Sequence, residues 1–173
     1  MKTLLIALLF IGAPILLSAQ NFEKYADMDK VDGILITQNM FKLLSGDDYD
    51  SKDPDAQKIA GMVNSLKNIQ VYSTSDKSIG ASMKKDVKAY VANSKLDKLM
   101  QIKESGDRIA FYSKPGKESG KISQLFMFIS DGSADGEFVI LSINGNIDLN
   151  NIGKMGEMLK VPGAKALKNV KSN

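Results

Sequence analysis

Four segments that read as strands follow one another in the second half of the chain, with only short turn sequences between them. They are Lys98–Glu104, Arg108–Ser113, Lys121–Ser130 and Glu137–Asn144. The connections SGD, KPGKESG and DGSADG are rich in Gly, Pro, Asp and Ser, which suit tight turns. Strands joined by short turns pair antiparallel. This half of the chain therefore predicts an antiparallel meander.

The first half mixes helical and strand patterns. The predicted elements are a strand over Val31–Thr37, a short helix over Gln38–Ser45, a helix from Pro54 to about Lys67, a strand over Asn68–Thr74 and a helix over Ser78–Asn93. A further helix is predicted from Asp148 to Lys160, followed by a lysine-rich tail. Helices first and strands later are typical of an α+β fold, here a mainly antiparallel sheet with helices packed on it.

Several apolar side chains are expected in the core. Met40, Phe41 and Leu44 have the spacing of one helix face in the short helix. In the helix over Ser78–Asn93 the inner stripe is formed by Ile79, Met83, Val87, Tyr90 and Val91. The last two strands are apolar on both faces, which predicts that they lie mid-sheet and are covered on each side, with Phe126, Phe128, Phe138 and Ile140 in the core.

The first 20 residues have the composition of a secretory leader. Lys2 is followed by an apolar run from Leu4 to Leu17 and by the small residues Ser18 and Ala19. A membrane-spanning helix needs about 20 apolar residues, so this run is short for an anchor. A charged start, a short apolar core and a small-residue end predict a signal peptide over residues 1–20, cut after Ala19 or Gln20. The expected product is a single α+β domain over residues 21–173, either periplasmic or secreted.

The composition excludes several chemistries. The chain has no Cys and no His, so it has neither a disulfide framework, nor a thiolate nucleophile, nor a His-based triad, nor a common type of zinc site. A lipoprotein anchor would also need a Cys. Arg108 is the only arginine and the formal net charge is +3, which argues against nucleic-acid recognition. There is no Trp, the residue that exported sugar-binding clefts usually display.

The order of segments resembles a known family. The stretches that carry the resemblance are KYADMDKVDGILITQNMFKLL, SIGASMKKDVKAYV, LMQIKESGDRIAFYSK and INGNIDLNNI. They are similar to the domain of unknown function 4252, a family of small exported proteins typical of Bacteroidota-type bacteria. The resemblance spans nearly the whole expected product. It implies no activity, cofactor or catalytic residue, and this chain lacks the lipobox cysteine that some members use.

Two stretches that look like ligand sites are explained better by structure. In SINGNIDLNNI, over Ser142–Ile152, Asn144 and Gly145 tolerate positive φ, so we expect a strand to end there and Asp148 to cap the next helix. GKESGKI, over Gly116–Ile122, is one residue short of a phosphate loop and has Ile122 where a magnesium-ligating hydroxyl is needed.

Two acidic stretches offer the oxygen ligands that a metal site needs. The loop GDDYDSKDPD carries five aspartates but does not match the EF-hand pattern. When the pattern starts at Asp48, Lys52 occupies a position that needs an oxygen ligand. Asp53 then replaces the required Gly, and Ile59 replaces the required Glu. The group Asp131, Asp135 and Glu137 lies in a turn whose two Asp-Gly steps already explain it. We therefore predict no metal and no cofactor.

Three functional hypotheses remain at this point. The first is a non-enzymatic exported domain that binds a partner or small ligand at the cell envelope. The second is an envelope hydrolase that uses carboxylates or a Ser–Lys pair, for which Ser82 and Lys85 match the S-x-x-K spacing but the accompanying SDN and KTG motifs are missing. The third is peripheral membrane binding through the C-terminal helix and its lysines. We assign no catalytic, cofactor-binding or metal residue.

Overall fold

A computed structural model describes residues 22–45, 57, 60–61, 63–104, 106–133 and 136–148. The elements, in chain order, are a 3-10 turn at Phe22–Tyr25, β1 at Asp32–Thr37, α1 at Gln38–Ser45, β2 at Leu66–Thr74, α2 at Lys77–Asn93, β3 at Asp97–Glu104, β4 at Asp107–Pro115, β5 at Lys121–Ser130 and β6 at Phe138–Asp148. The acidic loop at 46–55, the leader and the chain after Asp148 lie outside the described residues.

The strands form one six-stranded sheet in the order β1-β2-β6-β5-β4-β3. Every neighbouring pair is antiparallel. The last four strands in the chain are consecutive neighbours, which confirms the predicted meander, and β5 and β6 lie in the middle of the sheet. The chain is α+β, as the sequence predicted.

Apolar side chains cover both faces of the sheet. On the face that carries α1, the buried cluster is Phe41, Leu66, Ile69, Phe111, Ile122, Leu125, Met127, Leu141, Ile143 and Ile147. On the opposite face, which carries α2 and the 3-10 turn, the cluster is Phe22, Tyr25, Tyr72, Met83, Val87, Tyr90, Leu96, Phe126, Phe128 and Ile140. Phe126, Phe128 and Ile140 are therefore core residues, as expected, whereas Phe138 is only partly buried.

Helix α2 begins at a capping residue that the sequence analysis did not single out. Oδ1 of Asp76 accepts hydrogen bonds from the backbone N–H groups of Ser78 and Ile79, at 3.0 and 3.2 Å. These bonds satisfy donors that have no partner within the helix. A glycine lets the helix pack closely, because a Cβ at Gly80 would lie 2.1 Å from the ring of Phe138. The predicted inner stripe is confirmed: its members are buried or partly buried.

The strand-to-helix corner predicted at Asn144 and Gly145 is wrong. Strand β6 continues through both residues to Asp148, with register shifts against each of its neighbours near this point. A Cβ at Gly145 would lie 2.5 Å from the carbonyl oxygen of Ser65, and the N–H of Asn146 donates to that oxygen at 2.9 Å. The Asn-Gly step therefore forms a bulge at a close backbone contact and does not end the strand. Asp148 lies opposite Lys121 and forms an ion pair with it, so it pairs within the sheet.

Two helix predictions need adjustment. In α1, Phe41 is buried but Met40 is 48% exposed, so Met40 does not belong to the inner stripe; the burial of Leu44 lies outside the described residues. The helix predicted from Pro54 to Lys67 is described only in part. Residues 57, 60–61 and 63–64 are helical. Strand β2 already begins at Leu66, which the prediction placed in the helix, and the side chain of Leu66 is buried in the core.

Candidate functional site

Strand β1 is an edge of the sheet. It pairs with β2 along one side only, with Ile34 opposite Val71 and Leu35 opposite Gln70. Within the described part of the chain no strand pairs with its other side. The backbone N–H and C=O groups on that side therefore have no strand partner among the described residues, and unpaired groups of this kind can pair with another extended chain.

The exposed large apolar side chains lie in one stretch of the described chain, which contains β1. Among the described residues, the large hydrophobic side chains classed as exposed are Met28 (40%), Ile34 (56%), Leu35 (54%), Met40 (48%) and Leu43 (80%). All of them lie within residues 28–43, in β1 and the segments flanking it, and we call them the β1 edge surface. At these exposed fractions they leave roughly 500 Å² of apolar side chain open in total, and Ile34 and Leu35 contribute to it on opposite faces of the sheet.

The local geometry explains why these side chains stay exposed. Successive residues of a strand point to opposite faces, so Ile34 and Leu35 emerge on different sides of the sheet. Ile34 lies on the face of Val71 and Leu35 on the face of Gln70. Both side chains are more than half exposed, so neither packed layer of the sheet covers its own side of β1 fully.

The opposite edge of the sheet is protected in a way that β1 is not. Strand β3, DKLMQIKE, carries exposed Lys98, Gln101 and Lys103, and its pairing with β4 shifts register between Lys98 and Met100. Charged residues and bulges are the devices that prevent edge-to-edge pairing. Strand β1, DGILIT, has one acidic residue at its start, Asp32, and no lysine, proline or register shift along its length. The two edges therefore differ in their readiness to accept another strand.

A polar cleft of about 370 Å³ lies at the start of β1. Its lining residues are Lys30, Asp32, Ser73, Thr74, Ser75, Asp76 and Glu137. The Lys30 ammonium lies 3.0 Å from Oδ2 of Asp76. The hydrogen bond from Lys30 and that from the backbone N–H of Ile79 hold the pKa of Asp76 below its ordinary value.

Hydrogen bonds within the cleft fix the backbone around it. The hydroxyl of Thr74 donates to the carbonyl of Lys30 at 2.6 Å and accepts from the N–H of Asp76 at 3.1 Å. Lys30 has φ of 65°, a conformation that non-glycine residues seldom adopt. Because Thr74 and Asp76 bind groups of the chain itself, the cleft serves to fix the start of β1 against the start of α2.

A second polar cluster holds the 3-10 turn on α2. The hydroxyl of Tyr25 donates to Oδ2 of Asp86 at 2.5 Å, and the Lys24 ammonium pairs with the same oxygen. Burial alone would raise the pKa of Asp86, but the hydrogen bonds from Lys24 and Tyr25 outweigh it and lower that pKa. Burial, together with the bond to Asp86, raises the pKa of Tyr25.

One buried hydroxyl lacks a partner among the described residues. The side chain of Tyr72 is 1% exposed, and its oxygen forms no hydrogen bond there. Burial, followed by the charges of Glu23 and Asp27, raises its pKa. The hydroxyl therefore stays neutral under ordinary conditions.

A chain of polar side chains crosses the sheet beside α2, and sequence reasoning missed it. Tyr90 donates to Gln124 at 2.8 Å, Gln124 donates to Ser142 at 2.8 Å, and Asn144 donates to both Ser142 and Asn68, at 3.2 and 2.7 Å. The available signal was the presence of Gln124 and Ser142 in otherwise apolar strands. Buried polar groups need such partners, so this network is explained by the stability of the core.

The residues considered for catalysis do not form a constellation. Ser82 and Lys85 are both exposed on the outer side of α2, and the hydroxyl of Ser82 donates to the carbonyl of Ser78 at 3.1 Å. Gly116 lies in the β4–β5 turn, where its N–H donates to the carbonyl of Lys121 at 3.0 Å. The segment therefore joins two strands, whereas a phosphate loop joins a strand to a helix. Asp131 accepts from the N–H of Ser133 at 2.7 Å, as a turn residue does.

The same described residues contain neither a metal-binding cluster nor a membrane-spanning helix. No group of three or more acidic side chains there is arranged to hold a metal ion. None of the helices in that part of the chain combines the length and hydropathy that a membrane-spanning helix needs.

Comparison with known proteins gives one match. The family profile described as Domain of unknown function (DUF4252) matches residues 25–155. No curated protein matches the chain, and no solved structure matches it. The matched range includes all six strands and α1 and α2.

Proposed function

The chain belongs to the family Domain of unknown function (DUF4252), and because that name assigns no activity, we propose a function from the site itself: a non-enzymatic domain that binds another polypeptide through the β1 edge surface. The observation that carries this proposal is the concentration of exposed large hydrophobic side chains around an unprotected edge strand. The binding mode is strand addition, in which an extended segment pairs with the free side of β1.

The two kinds of contact have different roles in this mode. The backbone N–H and C=O groups of β1 form hydrogen bonds with the backbone of any extended partner, whatever the partner's sequence. Ile34 and Leu35 extend to opposite faces and select a partner strand that is apolar on both of its own faces. Met40 and Leu43, on the adjoining helix α1, widen the contact on one side of the strand.

We also propose that binding takes place outside the cytoplasm. The support is the leader-like composition of residues 1–20, which predicts export. Intact-mass measurement of the protein from the envelope fraction tests this, and the expected mature chain begins at Gln20 or Asn21. A mass that retains Met1–Ala19 would contradict export.

The binding surface can be tested by site-specific crosslinking in cells. A photoreactive amino acid at Leu35 should give discrete adducts, because this side chain lies on the proposed contact. The matched control is the same amino acid at Gln101, an exposed position on the protected edge strand β3, where no adduct is expected. Adding Ile34→Lys should abolish the adducts formed at Leu35, since a charge on the edge strand opposes pairing. Equal adducts at both positions, or none at Leu35, would refute the proposed surface.

A further inference from the structure

The β1 edge surface has properties that suit pairing with its own copy. Among the described strands it lies at an edge of an antiparallel sheet, and it is apolar on both faces of the strand. Resting on the proposed function above, we propose that the strand added to β1 is β1 of a second copy of this chain. The two copies run antiparallel about a two-fold axis and join their sheets into one. Closed two-fold pairs with the same patch on both subunits are the commonest arrangement among protein oligomers.

The symmetry limits the register of the pair. Residues that lie opposite each other in neighbouring strands point to the same face of the sheet. A two-fold axis perpendicular to the sheet keeps each side chain on its own face, so each residue on the axis must lie opposite its own copy. The middle of β1 is occupied by Ile34 and Leu35. In the register that pairs the full length of β1 with its copy, one of these two residues lies on the axis and packs against itself.

The two ends of the surface complement each other. The first residue of β1 and the chain before it carry the exposed carboxylates Asp32 and Asp29 and the exposed Met28. The chain that leaves β1 enters α1, which presents exposed Leu43 and Lys42. In an antiparallel pair the start of one strand lies beside the end of the other. Met28 at the start of each copy therefore lies toward Leu43 at the end of its partner, and the exposed apolar side chains at the two ends lie toward each other.

The size of the surface sets the strength that we expect. Two copies together would bury at most about 1,000 Å² of apolar side chain, the value for complete burial of all five residues in each copy, and this lies at the lower limit for a specific interface. The backbone hydrogen bonds between the two strands add to this contact. We therefore expect a reversible dimer whose population rises with protein concentration, and not a permanent one.

Disulfide trapping tests both the pair and its register, because the chain contains no cysteine. Opposite residues in an antiparallel pair have Cα atoms about 4.5–5.5 Å apart, within the range that a disulfide spans. Under mild oxidation either Ile34→Cys or Leu35→Cys, and not both, should give a covalent dimer in high yield. Gln101→Cys on β3 is the control and should stay monomeric. If neither variant on β1 gives more dimer than this control, the inference is wrong.

Sedimentation equilibrium of the unmodified sequence gives an independent measurement. It should show a monomer–dimer equilibrium, and Leu35→Lys should raise the dissociation constant by about tenfold or more, because it places like charges near each other across the pair. A chain that stays monomeric at its highest soluble concentration would overturn the inference. If adducts at Leu35 in cells then contain a different protein, the proposed function stands and only the occupant is wrong. If there are no adducts either, both fail.

Discussion

The ring of Phe126 occupies the centre of the aromatic cluster between the sheet and α2, and Phe126→Ala tests this packing directly. The side chain is fully buried, and its ring centroid lies 5.5 Å from that of Phe22, 5.1 Å from that of Tyr90 and 6.3 Å from that of Tyr112. Truncation removes contacts with three separate elements: the 3-10 turn, α2 and β4. None of the three can fill the space alone, so we expect a cavity to remain.

The expected loss is about 3–5 kcal/mol of the free energy of unfolding, the range for a buried aromatic replaced by alanine. We expect the upper part of that range, because aromatic pairs add about 0.5–1.5 kcal/mol beyond the area they bury. The loss is large against a total stability on the order of 5–15 kcal/mol. Phe126→Leu keeps most of the volume and should cost clearly less, about 1–2 kcal/mol.

Urea unfolding followed by circular dichroism measures these differences, provided that the slope of the transition is the same in all variants. Gln101→Ala, at an exposed position of β3, is the control and should change the free energy of unfolding by about 0.5 kcal/mol or less. A loss below about 1 kcal/mol for Phe126→Ala would refute the packed arrangement, since core aromatics cost several times more.

Five further substitutions test polar parts of the structure. Thr74→Val should cost about 1–3 kcal/mol in urea unfolding, because a carbonyl and an N–H lose their partner while the shape of the side chain is kept. Asp86 has a lowered pKa in the folded state, so its contribution is present above the unfolded pKa and lost as the pH falls through the folded pKa. Asp86→Asn should therefore lower stability by about 1–2 kcal/mol at neutral pH and flatten the loss of stability below about pH 4. Tyr72→Phe should leave stability unchanged or raise it by up to about 1 kcal/mol, and a clear loss would reveal a partner of the buried hydroxyl. Ser82→Ala and Lys85→Met should each change stability by about 0.5 kcal/mol or less, and a fluorophosphonate probe should not label Ser82; stoichiometric labelling that Lys85→Met abolishes would support a hydrolase instead.

The elements that the sequence predicted well are those set by local patterns. The meander follows from short apolar segments separated by Gly, Pro and Asp, and strand pairing needed no long-range information there. Helix α2 follows from apolar residues at helical spacing, and Met83, Val87 and Tyr90 are buried as that spacing requires. The mid-sheet position of β5 and β6 follows from side chains that are apolar on both faces.

The errors arise where a distant part of the chain decides the conformation. Asn144 and Gly145 have the composition of a turn, and only the approach of the Ser65 carbonyl shows that they form a bulge in a continuing strand. The network from Tyr90 to Asn68 joins residues far apart in sequence, so no local pattern predicts it. Met40 has the spacing of an inner residue but belongs to the exposed surface.

The candidate site depends on the same kind of long-range information. The segment DGILIT contains the apolar run Ile34–Ile36, whose side chains are directed to both faces as in a central strand. Its sequence would be the same if β1 had a neighbour on each side, and only the order of the sheet places it at an edge. Strand β3 occupies the other edge and has the charged residues and the register shift that such a position normally requires. The apolar residues of β1 suit the interior of a sheet, but the strand lies at an edge. Local sequence and position in the fold therefore disagree here, and such disagreements are expected at functional sites. Pairing with a further strand resolves it, because β1 then has a neighbour on each side and Ile34 and Leu35 lose most of their exposure.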